Sequence, residues 1–292
     1  MRTTPASGRQ TAFSAAYQRC VDRWPIPVES LTVPTTFGDT HLLASGVPQG
    51  GVVLLLPGGG ATATAWSAVA GGLGAGRRVV AVDPIGQPGR SVPSERAMRT
   101  REDVARWCGE ILDQLDARQA DLVGHSYGAW MALAYAIRSQ DRVRRLALLD
   151  PTDCFAPLGL AYRLRAIPQL IRPRPASLRW LLGWETAGRP LQPEWLELIL
   201  SATACGRMRI VLPKRPRPDE LARMKVPTLI VVAGHSRAHD AVTAAARARQ
   251  HLPNVTVAEL PGATHHTIPI TDTTELLAVL RPFLVADGPA AS

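Results

Sequence analysis

The run Gly124-His125-Ser126-Tyr127-Gly128 sets a serine between two glycines. A serine hydroxyl is a weak nucleophile until a neighbouring base takes its proton. A short apolar segment, residues 121–124, precedes the run, and a small-residue helical pattern, 129–137, follows it. In a strand–turn–helix setting the serine sits on a tight, strained turn. Side chains at the glycine positions would collide with the flanking strand and helix. Such a turn pushes the Ser126 hydroxyl out at the carboxyl end of a sheet. It also leaves the Tyr127 N–H at a helix start, aimed at a developing negative charge. The chemistry is nucleophilic attack on a centre whose oxygen becomes an anion.

Two further segments have the composition to assist. Pro57-Gly58-Gly59-Gly60 closes the apolar run 52–56, and glycines there let the backbone approach a ligand. The Gly59 N–H is the expected second oxyanion donor, opposite Tyr127. Gly262-Ala263-Thr264-His265-His266 offers a histidine as general base after the last strand. The G-x-x-H spacing favours His265, with His266 as its competitor. His41, His125, His235, His239 and His251 read as structural or surface residues. His235 and His239 stand at i, i+4, but no third ligand accompanies them, so neither a metal nor a cofactor is expected.

These residues need a scaffold that brings strand ends together. Residues 28–33 and 41–44 read as a hairpin around Phe37-Gly38-Asp39. The runs 52–56, 78–82, 121–124, 143–149, 228–233 and 255–260 read as strands, several of them apolar throughout and so buried on both faces. Residues 100–115 have helical periodicity, with Val104, Trp107, Ile111 and Leu115 on one face, and 274–284 read as a last helix. Strands alternating with helices predict an α/β fold, a mostly parallel sheet flanked by helices. Residues 1–27 read as a polar lead-in with a short helix over 12–22. Residues 154–221 break the alternation with amphipathic pieces and many prolines, and predict a helical cap inserted after the sixth strand. The core is then 28–153 with 222–286. The cap is basic, including Arg163, Arg165, Arg172, Arg174, Arg179 and Arg207. These arginines form a solvated outer face or, on the sharper reading, attract an anionic substrate.

The bulk numbers agree with a globular enzyme. The chain has 292 residues, 46% hydrophobic and 20% charged, with a formal net charge of +9. No compact Lys/Arg block with interleaved aromatics points to nucleic acid. No apolar stretch is long enough to span a membrane, and the N-terminus shows no secretory pattern. Cys20, Cys108, Cys154 and Cys205 have no metal or disulfide spacing, which fits a cytoplasmic setting. The expected partner is a small-molecule substrate, with neither nucleic acid nor membrane.

With these motifs in hand, the chain resembles the α/β-hydrolase superfamily, in its capped, carboxylesterase-like bacterial branch, over roughly residues 24–284. Its marks include Leu54-Leu55-Leu56-Pro57-Gly58-Gly59 with Trp66, Asp83-Pro84-Ile85-Gly86, the Ser126 motif, Val226-Pro227-Thr228 with Gly234, and Gly262-Ala263-Thr264-His265. The resemblance implies an α/β-hydrolase fold and a Ser–His–acid triad. Two positions depart from the family pattern. Pro57 stands where a loop-bracing histidine is usual. Arg237 stands where the usual acid lies, three residues after the glycine that ends the 228–233 strand, and an arginine cannot orient an imidazolium. Asp150, at the end of the 143–149 strand, is the favoured substitute, since some relatives keep their acid there. Asp240 and Asp153 are the alternatives. Each has a plainer use, as a turn brace, a helix cap or a turn initiator. The leading activity is cleavage of a carboxylic ester or related acyl bond. A thioesterase, lyase or cyclase on the same scaffold, and an inactive ligand-binding module, are the other readings.

Overall fold

The central parallel strands are buried on both faces, so they must be covered on both sides. The computed structural model describes residues 8–205, 208–271 and 273–285; residues 1–7 of the lead-in, Arg207 and residue 286 lie outside the described residues. Helix α1 (Gly8–Asp22) leads into the hairpin β1 (Val28–Thr35) and β2 (Gly38–Gly46). Then come β3 (Gly51–Leu56), α2 (Ser67–Leu73), β4 (Arg77–Val82) and the two-residue β5 (Val92–Pro93). Next are α3 (Arg101–Gln114), β6 (Ala120–His125), α4 (Tyr127–Arg138) and β7 (Val143–Leu149). Helices α5 (Leu160–Ile171), α6 (Pro175–Glu185), α7 (Pro193–Ala202) and α8 (Pro218–Ala222) stand before β8 (Thr228–Ala233). The chain continues through α9 (Ala241–His251), β9 (Val255–Leu260) and α10 (Thr273–Val285).

The strands form one sheet in the order β1-β2-β4-β3-β6-β7-β8-β9, with β5 beside β2. From β4 to β9 every neighbouring pair is parallel, whereas β2 runs antiparallel to β1, β4 and β5. Along β3, Leu54 and Leu56 join the core on one face and Val53 and Leu55 the core on the other. Helices α3, α4 and α9 cover the first face, while α1, α2 and α10 cover the second. The expected face of α3 is buried at Val104, Trp107, Ile111 and Leu115. A capping box between Thr100 and Asp103 starts that helix.

Two details differ from the sequence reading. Because Asp39 pairs with Val92 in β5, the inserted helices follow the seventh strand in chain order, not the sixth. Two residues are too few to show a periodicity. The expected polar lead-in also packs into the core over its described part. Phe13, Ala16, Tyr17, Cys20 and Trp24 are buried, and Tyr17 donates to Asp83 Oδ2 at 3.0 Å. Phe13, Ala16, Tyr17 and Cys20 form one helical stripe, masked by the polar residues between them.

The turn between β6 and α4 carries the strain the motif requires. Ser126 has φ 54° and ψ −116°, a region costly for a residue with a side chain. A Cβ on Gly128 would overlap the Leu56 carbonyl, and one on Gly124 would overlap the Gly128 carbonyl. Helix α4 therefore presses directly on β3. Gly128→Ala is expected to cost about 1–3 kcal/mol of stability by overpacking, seen as a lower urea midpoint. Gly183→Ala is the control, because a methyl there meets open space; it should be neutral or mildly stabilising. Equal losses in the two variants would contradict this account.

Candidate active site

The carboxyl ends of β3, β6, β7, β8 and β9 lie side by side, so the loops that follow them share one edge of the sheet. Parallel sheets bind their ligands at that edge. The Ser126 N–H bonds to the Leu149 carbonyl at 3.0 Å, and the Asp150 N–H to the Val231 carbonyl at 2.7 Å. These bonds lock the turn after β6 to the ends of β7 and β8.

Here the structure brings Ser126, His265 and Asp150 together. His265 Nε2 is 2.8 Å from Ser126 Oγ, and His265 Nδ1 is 2.6 Å from Asp150 Oδ2. Asp150 is fully buried. Burial alone would raise its carboxyl. His239, Nε2 at 3.2 Å from Oδ1, and His265 outweigh that and hold it well below the ordinary aspartate value. The Ala233 N–H at 3.0 Å and the Ser236 hydroxyl at 2.7 Å also donate to this carboxylate. An ionised Asp150 only accepts, so the proton on the His265 ring sits at Nδ1. Nε2 then faces the Ser126 hydroxyl as an acceptor.

The other acids are occupied locally. Asp240 caps α9, accepting from the Thr243 N–H at 3.0 Å and the Thr243 hydroxyl at 2.9 Å. Asp153 braces a turn, accepting from the Leu158 N–H at 3.3 Å. Arg237 points to the inserted helices. Its Nη1 donates to the Trp184 carbonyl at 2.5 Å, and its guanidinium lies 5.4 Å from the Trp184 ring centre. The loop that usually carries the family's acid here supplies Ser236 and His239, which support an acid placed one strand away. His235 is exposed while His239 is buried against Asp150, so the two do not form a metal pair.

The glycine loop after β3 lies against the start of α4. A Cβ built on Gly59 would sit 3.6 Å from Tyr127 Cβ. Tyr127 opens α4, where backbone N–H groups have no partner within the helix. With Pro57 in place of histidine, the loop is tied by other bonds. The Gly60 N–H donates to Gln87 Oε1 at 2.8 Å and the Ala61 N–H to the Gly58 carbonyl at 3.1 Å.

Sequence reasoning missed three contributors. His125, inside the motif, is buried, and burial and the neighbouring His265 push its ring down to about 3. The neutral ring donates from Nε2 to the His265 carbonyl at 2.8 Å. His239 is the second. Burial would lower it, but Asp150 raises it above the ordinary histidine value. Glu185, at the end of α6, is the third, and it is also fully buried. It accepts the His265 N–H at 2.8 Å, the His266 N–H at 3.2 Å and His266 Nδ1 at 2.8 Å. His266, the competitor, thus pairs with Glu185 rather than Ser126. A signal for Glu185 was available: it is the lone acid in the basic run 154–193.

Residues 53–279 match the family model of the alpha/beta hydrolase family. The chain belongs to that family. Among curated members it is 27% identical over 260 residues to carboxylesterase YbfK of Bacillus subtilis (strain 168), spanning 87% of each chain. It is 37% identical over 122 residues to 2-hydroxymuconate semialdehyde hydrolase of Pseudomonas sp. (strain CF600), spanning 41% of this chain and 42% of that one. The crystal structure of naproxen esterase from Bacillus subtilis superposes with a TM-score of 0.89 at 23% identity, covering 96% of this chain and 100% of that one.

The Glu185 carboxyl is raised by burial but drawn down by His266 and His265, to about 2 from an ordinary 4.5. A depressed value means the carboxylate stabilises the fold above about 4.5, and that this contribution fades as pH falls toward about 2. It amounts to roughly 3 kcal/mol. Glu185→Gln should therefore be less stable than wild type at pH 7. The gap between their urea-unfolding free energies should shrink as pH falls from 5 to 3. A gap that stays constant would exclude this role.

Proposed function

We propose that this alpha/beta hydrolase is a serine hydrolase that cleaves a carboxylic ester of a small molecule through an acyl-enzyme. The observation that carries the reading is the unbroken chain Ser126–His265–Asp150, with links of 2.8 Å and 2.6 Å. The kinship with carboxylesterase YbfK along most of both chains supports the ester as substrate.

In the first step Ser126 Oγ attacks the ester carbonyl while His265 Nε2 takes the hydroxyl proton. Asp150 stabilises the resulting imidazolium through Nδ1–H. The Gly59 and Tyr127 N–H groups hold the oxyanion. The tetrahedral intermediate expels the alcohol, which leaves with the proton from His265. Water then enters, gives a proton to His265, and releases the acid from Ser126 by the reverse sequence. Arg237 and the arginine-rich cap favour a lyase or cyclase, but Asp150 supplies the acid that Arg237 leaves missing, which favours hydrolysis. Residues 28–153 with 222–286 act as the catalytic core, and 154–221 as a cap over it. The cap sets substrate choice through side chains such as Tyr162, whose ring centre lies 6.2 Å from that of His265.

Fluorophosphonate labelling should mark the wild type and vanish in Ser126→Ala. Hydrolysis of short p-nitrophenyl esters should fall about 10⁴-fold in kcat for Asp150→Asn, with the fold retained by circular dichroism. Asp240→Asn keeps a side-chain oxygen that can cap α9, so it should change stability little and keep its activity. Labelling that survives Ser126→Ala, or a loss of turnover in Asp240→Asn rather than Asp150→Asn, would overturn the assignment.

A further inference from the structure

Helix α5 carries large apolar side chains on its outer surface. Leu160 is 70% exposed, Leu164 56%, Ile167 41% and Ile171 67%. At 100° per residue these four positions fall within about 60° of arc, a single stripe along three turns. Tyr162 projects from the opposite face. Its ring centre lies 6.2 Å from His265 and 6.4 Å from His266. The stripe therefore points away from the site. Helix α6 packs beside α5: Gln169 bonds to the Ser177 hydroxyl at 2.8 Å, and Tyr162 meets Trp184 with ring centres 6.3 Å apart. On α6, Trp180 is 54% exposed, and the Arg165 guanidinium lies 5.7 Å from its ring.

The exposed charge on this helical hairpin has one sign, Glu185 at its end being buried. Arg163, Arg172, Arg174 and Arg179 are exposed around the stripe and at the joint between the helices. Residues 154–184 contain no aspartate or glutamate. A two-fold contact between copies of the chain through this face would set these arginines against themselves, which opposes a dimer. An apolar stripe flanked by arginines, with a tryptophan beside it, has the composition of a helix that lies in a bilayer interface. Its aliphatic side chains enter the acyl boundary while the guanidinium groups meet anionic headgroups.

We infer that the α5–α6 face docks this protein on the surface of a membrane rich in anionic lipid. The chain does not span the bilayer: no helix among the described residues is long and apolar enough to cross it. This departs from the expectation of no membrane partner, because a surface helix carries no long apolar run to announce it.

Co-sedimentation of the full chain with vesicles tests the inference. Vesicles of equal parts phosphatidylglycerol and phosphatidylcholine should carry down about tenfold more protein than phosphatidylcholine alone. Salt should weaken the binding. Leu164→Ser with Ile167→Ser, and separately Arg172→Glu with Arg174→Glu, should each cut the bound fraction about fivefold or more. Because all four side chains are exposed, both variants should keep their circular dichroism and their hydrolysis of a soluble p-nitrophenyl ester. Equal sedimentation with both vesicle types would overturn the inference, as would binding that both variants retain. A dimer in solution that Leu164→Ser with Ile167→Ser dissolves would mark the face as a contact between copies, and would overturn it too.

Discussion

A carboxylate sealed from water must be paired or it will not stay charged, and the geometry of this site follows from how Asp150 is paired. Its partners come from three separate places: the Ala233 N–H at the end of β8, Ser236 and His239 in the loop beyond it, and His265 in the loop after β9. Each supplies a donor or a positive charge. Removing one partner of a buried charge costs several kcal/mol, so the three segments hold one another in place. Asp150 itself sits at φ 41°, a conformation that persists only where its surroundings enforce it.

His265 is the second focus of these constraints. Its N–H donates to Glu185, its carbonyl accepts from His125, Nδ1 donates to Asp150 and Nε2 accepts from Ser126. Every polar atom of the residue is engaged, so its ring is held in one orientation. Glu185 belongs to α6. The helices inserted after β7 are thus joined to the loop that carries the proposed base, and that joint is a buried charge network. Arg237, whose side chain bonds to the Trp184 carbonyl, ties the neighbouring loop to the same helix end.

Much of this was legible along the chain. Apolar runs such as 52–56 announce strands covered on both faces, because a strand with two buried faces has no polar positions to alternate with. The glycines at 124 and 128 announce the strained turn, because backbone contacts leave no room for Cβ there. His239 was not legible. It lies one residue before the helix-capping Asp240 and shows no periodicity, and only the return of the chain after β8 turns it toward Asp150. Helix α1 was underread for another reason: its buried stripe is sparse, and the polar residues between lower its apparent hydrophobicity.

By itself the sequence determined the strained turn that presents Ser126, the alternation of strands and helices, and the short list of acids and histidines from which the candidate site is drawn. Those are local matters, set by side-chain type, spacing and backbone sterics. Only the tertiary structure shows that Asp150, and not Asp153 or Asp240, bonds to His265, and that His265, and not His266, bonds to Ser126. Those pairings depend on which polar groups from distant segments converge on one buried point. Residues 150, 185, 239 and 265 meet because β7, β8 and β9 are neighbours in the sheet and α6 folds back over their ends. No spacing along the chain encodes that distance.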